Sequence, residues 1–94
     1  MALSDISIMR DILAEVAEAT GFKESLLIGR RRTASLARAR QLAYYVAHRS
    51  GVSYADIGRA MHRDHSTVMF GVKAEKKRRD KVAPTLVSPA KPVL

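Results

Sequence analysis

Cysteine and tryptophan are absent from this 94-residue chain, and only three tyrosines and two phenylalanines make up its aromatic content. Without cysteine there are no disulfides, and most structural zinc sites are excluded; the expected setting is a reducing cytoplasm. Proline is confined to Pro84, Pro89 and Pro92, so nothing upstream interrupts helices. No apolar run approaches eighteen residues, and the first twenty carry Asp5, Arg10, Asp11, Glu15 and Glu18. That pattern excludes a transmembrane helix and a secretory signal. No glycine opens a G-x-x-x-x-G-K-[ST] run, so a phosphate loop is absent.

What is present is positive charge, unevenly spread. Residues 1–29 hold two basic and five acidic side chains, a net −3, whereas residues 30–94 hold fifteen basic and four acidic, a net +11. Such asymmetry is the footprint of a polyanion partner, although basic tails and membrane-surface segments share it. The length suits one small domain with a modest core, and 47% apolar residues is ordinary for a folded chain.

Helical periodicity runs through most of the sequence. Ile8, Met9, Ile12, Leu13, Val16 and Ala17 repeat at three-to-four spacing and predict an amphipathic helix over 5–20, with Ser4 as its N-cap and Gly21 as its stop. A helical turn over 23–28 is expected to carry Leu26, Leu27 and Ile28 into the core. Ser35 is the expected cap of a second long helix to about Arg49, with Leu36, Ala39, Ala43 and Val46 on one face. Ser53-Tyr54-Ala55-Asp56 resembles a capping box opening a short helix to about Met61, with Ile57 and Met61 inward. His62-Arg63 is the break, and Asp64 caps a last helix from His65 to about Asp80, anchored by Val68 and Val72. Residues 81–94 read as a disordered tail after a domain spanning 1–80. No strand pattern emerges, so the expected class is all-α.

Two segments fit no core. Arg30-Arg31-Arg32 has no apolar residue, and Arg63-Asp64-His65-Ser66-Thr67 opens the last helix with five hydrogen-bonding side chains in a row. A short helix, a tight break and a helix entered through polar residues is the helix-turn-helix arrangement, in which the second helix presents its first residues to base edges. Arginine enters narrow minor grooves, where the potential is strongly negative. Asp can accept from the cytosine amine, and His or Thr can approach a base acceptor or a thymine methyl. Double-stranded DNA is therefore the expected partner.

Three segments, in order, resemble the C-terminal DNA-binding domain of the bacterial replication initiator DnaA: Ala37-Arg38-Ala39-Arg40-Gln41, Ser53-x-x-x-Ile57-Gly58, and Arg63-Asp64-His65-Ser66-Thr67-Val68, the family signature. The resemblance covers about residues 6–79. It implies a small helical bundle with a helix-turn-helix, Trp-repressor-like in kind, that grips an asymmetric nine-base-pair DnaA box through both grooves. By position, Arg32 is the expected minor-groove reader, with Arg30 and Arg31 on phosphate nearby. Asp64, His65 and Thr67 are expected at base edges, and Arg63 and Ser66 on phosphate. Arg38, Arg40 and Gln41 are expected at the DNA backbone, and Ser53, Tyr54 and Lys73 complete the candidate set. Met61-His62 stands where members of the family carry Phe-Gly-Gly or Phe-Gly, and losing glycine there is expected to alter the angle between the two helices. The initiator's upstream ATPase has no counterpart in this sequence, so a freestanding, nucleoid-associated domain is expected, serving as a small transcriptional regulator or a modulator of replication initiation. A monomer suffices for an asymmetric site, with a dimer the other arrangement.

Other readings are weaker. Asp64, His65 and Ser66 are the residue types of a hydrolase triad, but helix neighbours point about a hundred degrees apart and cannot form the relay. His62-x-x-His65 has metal spacing without the further ligands a site needs. No enzyme activity, cofactor, metal or small-molecule substrate is expected. Tyr44 and Tyr45 read as one core and one surface tyrosine. The rival class is a non-specific module whose basic residues 73–81 bind any nucleic acid or an anionic membrane.

Overall fold

The structure, a computed structural model, describes residues 3–87, with side chains to residue 81. Five helices follow one another: α1 (Leu3–Thr20), α2 (Glu24–Ile28), α3 (Ala34–Arg49), α4 (Tyr54–Met61) and α5 (His65–Val87). Among the described residues there is no strand, and none of the helices is long and apolar enough to cross a membrane. The expected all-α helix-turn-helix bundle is what forms. α3 packs against both α1 and α5, and α4 packs against α5.

The apolar periodicity of each helix converges on one core. Leu27, Leu36, Val52, Ile57, Met61 and Val68 are its fully enclosed side chains, and Met9, Ile12, Leu13 and Val16 close it from α1. Tyr44 is buried, while Tyr45 is half-buried, with the Arg79 guanidinium 4.6 Å from its ring centre. Thr33 caps α3 by accepting the Leu36 amide at 3.0 Å, so the helix starts before Ser35, the cap anticipated from sequence. Ser4 likewise lies inside α1. Ser53 caps α4 through the Asp56 amide, but the Asp56 carboxylate pairs with Arg59 and does not complete a capping box.

At its far end α5 continues past Asp80 to Val87, taking in residues expected in the tail. Residues 88–94 of the expected tail lie outside the described residues.

Two close approaches set the helix-turn-helix. A Cβ on Gly58 would collide with the Arg63 carbonyl oxygen, and one on Gly71 would fall 2.5 Å from Tyr44 Cδ2. Glycine at these positions lets the turn fold under α4 and lets α5 close on α3. Between α4 and α5 the chain reverses through His62, which adopts the left-handed conformation (φ 56°, ψ 46°), and the Arg63 amide donates to the Gly58 carbonyl at 2.8 Å. The missing turn glycine is thus replaced by a histidine held where glycine would sit without strain.

Arg40, expected on DNA phosphate, is instead 6% exposed. Its Nε donates to the Leu27 carbonyl at 2.8 Å, and its Nη2 to those of Leu26 at 2.8 Å and Gly29 at 3.0 Å. Those carbonyls end a helix of five residues, which has no partners of its own to offer them. Burial, then the neighbouring charge of Arg63, lowers the guanidinium's pKa from its ordinary value.

Replacing Arg40 by Met should destabilise the fold by about 3 kcal/mol, the scale of losing charge-assisted bonds and stranding their acceptors. Chemical denaturation would check this. His62→Gly should stabilise by about 1 kcal/mol, the left-handed strain it relieves, and raise the thermal midpoint.

Candidate nucleic-acid interface

Polar residues that sequence places far apart meet along one groove. Arg30, Arg32 and Thr33 form its rim on the loop side, Ala34, Ala37, Gln41 and Tyr44 its α3 wall, and Thr67, Phe70, Gly71 and Ala74 its α5 wall. The small residues on both walls keep the groove open, and the arginines of the loop remain exposed around it. Arg31 is exposed but does not line the groove.

The part that joins the two sides is Arg63. Its Nη1 donates to the Met61 carbonyl at 2.9 Å and reaches those of His62 and Ile28 at 3.3 Å. Its Nη2 donates to the Gly29 carbonyl. One guanidinium therefore holds both the turn before α5 and the residues that launch the basic loop. Expected on phosphate, the Arg63 side chain is half-buried and faces backbone oxygens of its own chain.

Asp64 stands at the head of α5. Its Oδ2 accepts the Ser66 amide at 3.0 Å, the N-cap expected from sequence, while Oδ1 lies 3.9 Å from His65 Nδ1. Both side chains are about two-thirds exposed. The Ser66 backbone amide, and then its hydroxyl, hold the Asp64 carboxyl below the usual carboxylate range. At neutral pH the first turn thus presents an anion, an imidazole and the Thr67 hydroxyl to solvent, with the backbone beneath them fixed by the cap.

The remaining candidates divide. Gln41 lies in the groove, but its amide oxygen accepts from Arg78 Nη2 at 2.8 Å. Arg38 lines a different depression, beside Phe22, Leu42 and Arg78, and not the groove that holds Gln41. Arg40 underlies the groove as part of the framework. Ser53 is engaged as a cap, and Tyr54 stacks on His48 with ring centres 4.3 Å apart. Lys73 is exposed on α5, and Ser66 is half-buried.

Sequence reasoning missed Phe70, 64% exposed on the α5 wall. The signal was there, since a residue two places from the buried Val68 and two from Val72 must point away from the core.

Residues 9–74 match the family model of the bacterial DnaA protein helix-turn-helix. The chain is also 35% identical over 68 residues to the chromosomal replication initiator protein DnaA of Thermodesulfovibrio yellowstonii. That stretch is 70% of this chain but 16% of the initiator, so the chain spans only a small part of that relative's length. No solved structure matches it.

The Asp64 cap carries a pH signature. A carboxyl whose pKa is depressed by folding adds stability above its unfolded value, near 3.9, and that contribution is lost as pH falls through the lower folded value. The difference in thermal midpoint between the wild type and Asp64→Ala should be constant from pH 7 to about 5, shrink below about 4, and vanish in stronger acid. A difference that persists undiminished at low pH would show that the carboxylate does not cap.

Proposed function

This chain belongs to the helix-turn-helix family of bacterial DnaA proteins, and from that premise we propose that it is a sequence-specific reader of DnaA-box-like sites. Binding to double-stranded DNA is what a helix-turn-helix of this family implies. The proposal concerns how the site is chosen. The head of α5 enters the major groove, where Asp64, His65 and Thr67 meet base edges, and Arg32 enters the adjacent minor groove. Arg30 and Arg31 flank it on phosphate, and the exposed Lys73 supports the backbone further along α5. Gln41, Ser53, Tyr54 and Ser66 act chiefly by fixing the surfaces from which these residues reach.

The observation that carries this reading is the Arg63 clamp. A basic loop and a polar helix start separated by some thirty residues are held by one guanidinium on either side of one groove. A non-specific polycation needs no such registration. Charge alone supplies affinity; a fixed distance between two readers supplies choice of sequence. Binding as a monomer fits an asymmetric site, and the biological role we propose is occupancy of such sites in the control of transcription or of replication initiation.

Selection of bound sequences from a random duplex library tests the reading directly, and a genome-wide occupancy map then separates origin from promoter sites. About five to seven phosphate contacts should make affinity fall steeply with salt. Arg32→Ala should weaken binding, lower the salt slope by about one, and relax preference at an A/T position. His65→Ala and Thr67→Ala should each cost roughly 1–3 kcal/mol on the selected site and little on random duplex. Equal losses on both DNAs would refute base reading by those residues, and complete competition by random duplex would favour a generic polyanion binder.

A further inference from the structure

We infer that Phe70 is a specificity residue that reads the 5-methyl group of a thymine in the major groove; this rests on the reading of α5 as the major-groove helix. Three large hydrophobic side chains are exposed among the described residues: Leu3 and Ile6 at the start of α1, and Phe70. Phe70 alone of these lines the groove that holds Arg32 and Thr67.

Its position on the helix is that of a reader. Thr67, Phe70, Gly71 and Ala74 follow one another at three-to-four spacing and lie on one strip of α5. Phe70 is therefore one turn beyond Thr67, on the side that Thr67 faces. Gly71, beside it, is buried against Tyr44, so the backbone under Phe70 is seated tightly on α3 and the ring stands out from a fixed base.

The chemistry then narrows the target. A phenyl ring can neither donate nor accept a hydrogen bond of consequence, so amines, carbonyls and ring nitrogens of base edges are poor matches. Among the groups displayed in the major groove, the thymine methyl is the apolar one. Covering both surfaces removes apolar area from water, whereas a cytosine at that position offers nothing comparable to cover. Phe70 thus adds a preference for thymine about one turn of helix further along the site than the polar residues at the helix head.

Deoxyuridine in place of thymine removes the methyl and nothing else, which gives the test. The wild-type chain and Phe70→Ala are each titrated with the duplex selected by the wild type, and with duplexes in which single thymines are replaced in turn. One replacement should weaken wild-type binding roughly fourfold, the scale of burying one methyl-sized group, and should leave Phe70→Ala binding unchanged. Phe70→Leu, still apolar, should retain part of the sensitivity. Matching circular dichroism and melting curves for the variants confirm the fold, as expected for an exposed position. A wild type indifferent to every replacement, or a Phe70→Ala variant as sensitive as the wild type, overturns the assignment while leaving sequence-specific binding intact. A wild type that selects no site at all overturns both.

Discussion

Four consecutive carbonyls, those of Leu26, Leu27, Ile28 and Gly29, are captured by two guanidiniums, and the rest of the surface depends on that capture. A helix as short as α2 cannot sustain itself, and its last carbonyls have no amides within the helix to meet them. Arg40 reaches them from the middle of α3, and Arg63 reaches them from the turn before α5. Without both, the loop carrying Arg30, Arg31 and Arg32 would leave the core at no fixed angle. Two like charges so near each other are tolerable because each faces several oxygens, which is how a buried guanidinium is accommodated.

Elsewhere the architecture is built from missing side chains. Gly58 admits the Arg63 carbonyl and Gly71 admits the Tyr44 ring, so the two helices of the motif meet their neighbours at distances no larger residue permits. His62 is the opposite case: a side chain is kept in a conformation that disfavours it, in a turn closed by the bond from the Arg63 amide to the Gly58 carbonyl. The turn therefore reverses direction with a histidine, not a glycine, at its left-handed position.

Much of this could be read from the chain. The apolar spacing of α1, the inward placement of Ile57 and Met61, and the caps at Ser53 and Asp64 follow from local rules, because caps and amphipathic stripes act within a few residues. The arginines did not yield so easily. Arg40 carries a partial clue, since it stands among Leu36, Ala39, Ala43 and Ala47 on the buried stripe of α3. Arg63 carries none: its acceptors at Ile28 and Gly29 are more than thirty residues away, and sequence charge says nothing of which guanidinium turns inward. Arg38 and Gln41, three residues apart on α3, nonetheless line different depressions, a division that sequence spacing does not reveal.

A clamp made to carbonyl oxygens is blind to what the clamped residues carry. Every peptide unit presents the same acceptor, so Arg40 and Arg63 grip the loop's root by its main chain and are indifferent to the side chains displayed beyond it. Residues 30–32 are thereby uncoupled from the work of holding the fold together. They form an interchangeable tip on a fixed mount, where substitution alters what is touched without altering where the touching occurs. A scaffold organised this way can drift from one target to another one residue at a time, remaining folded at each step.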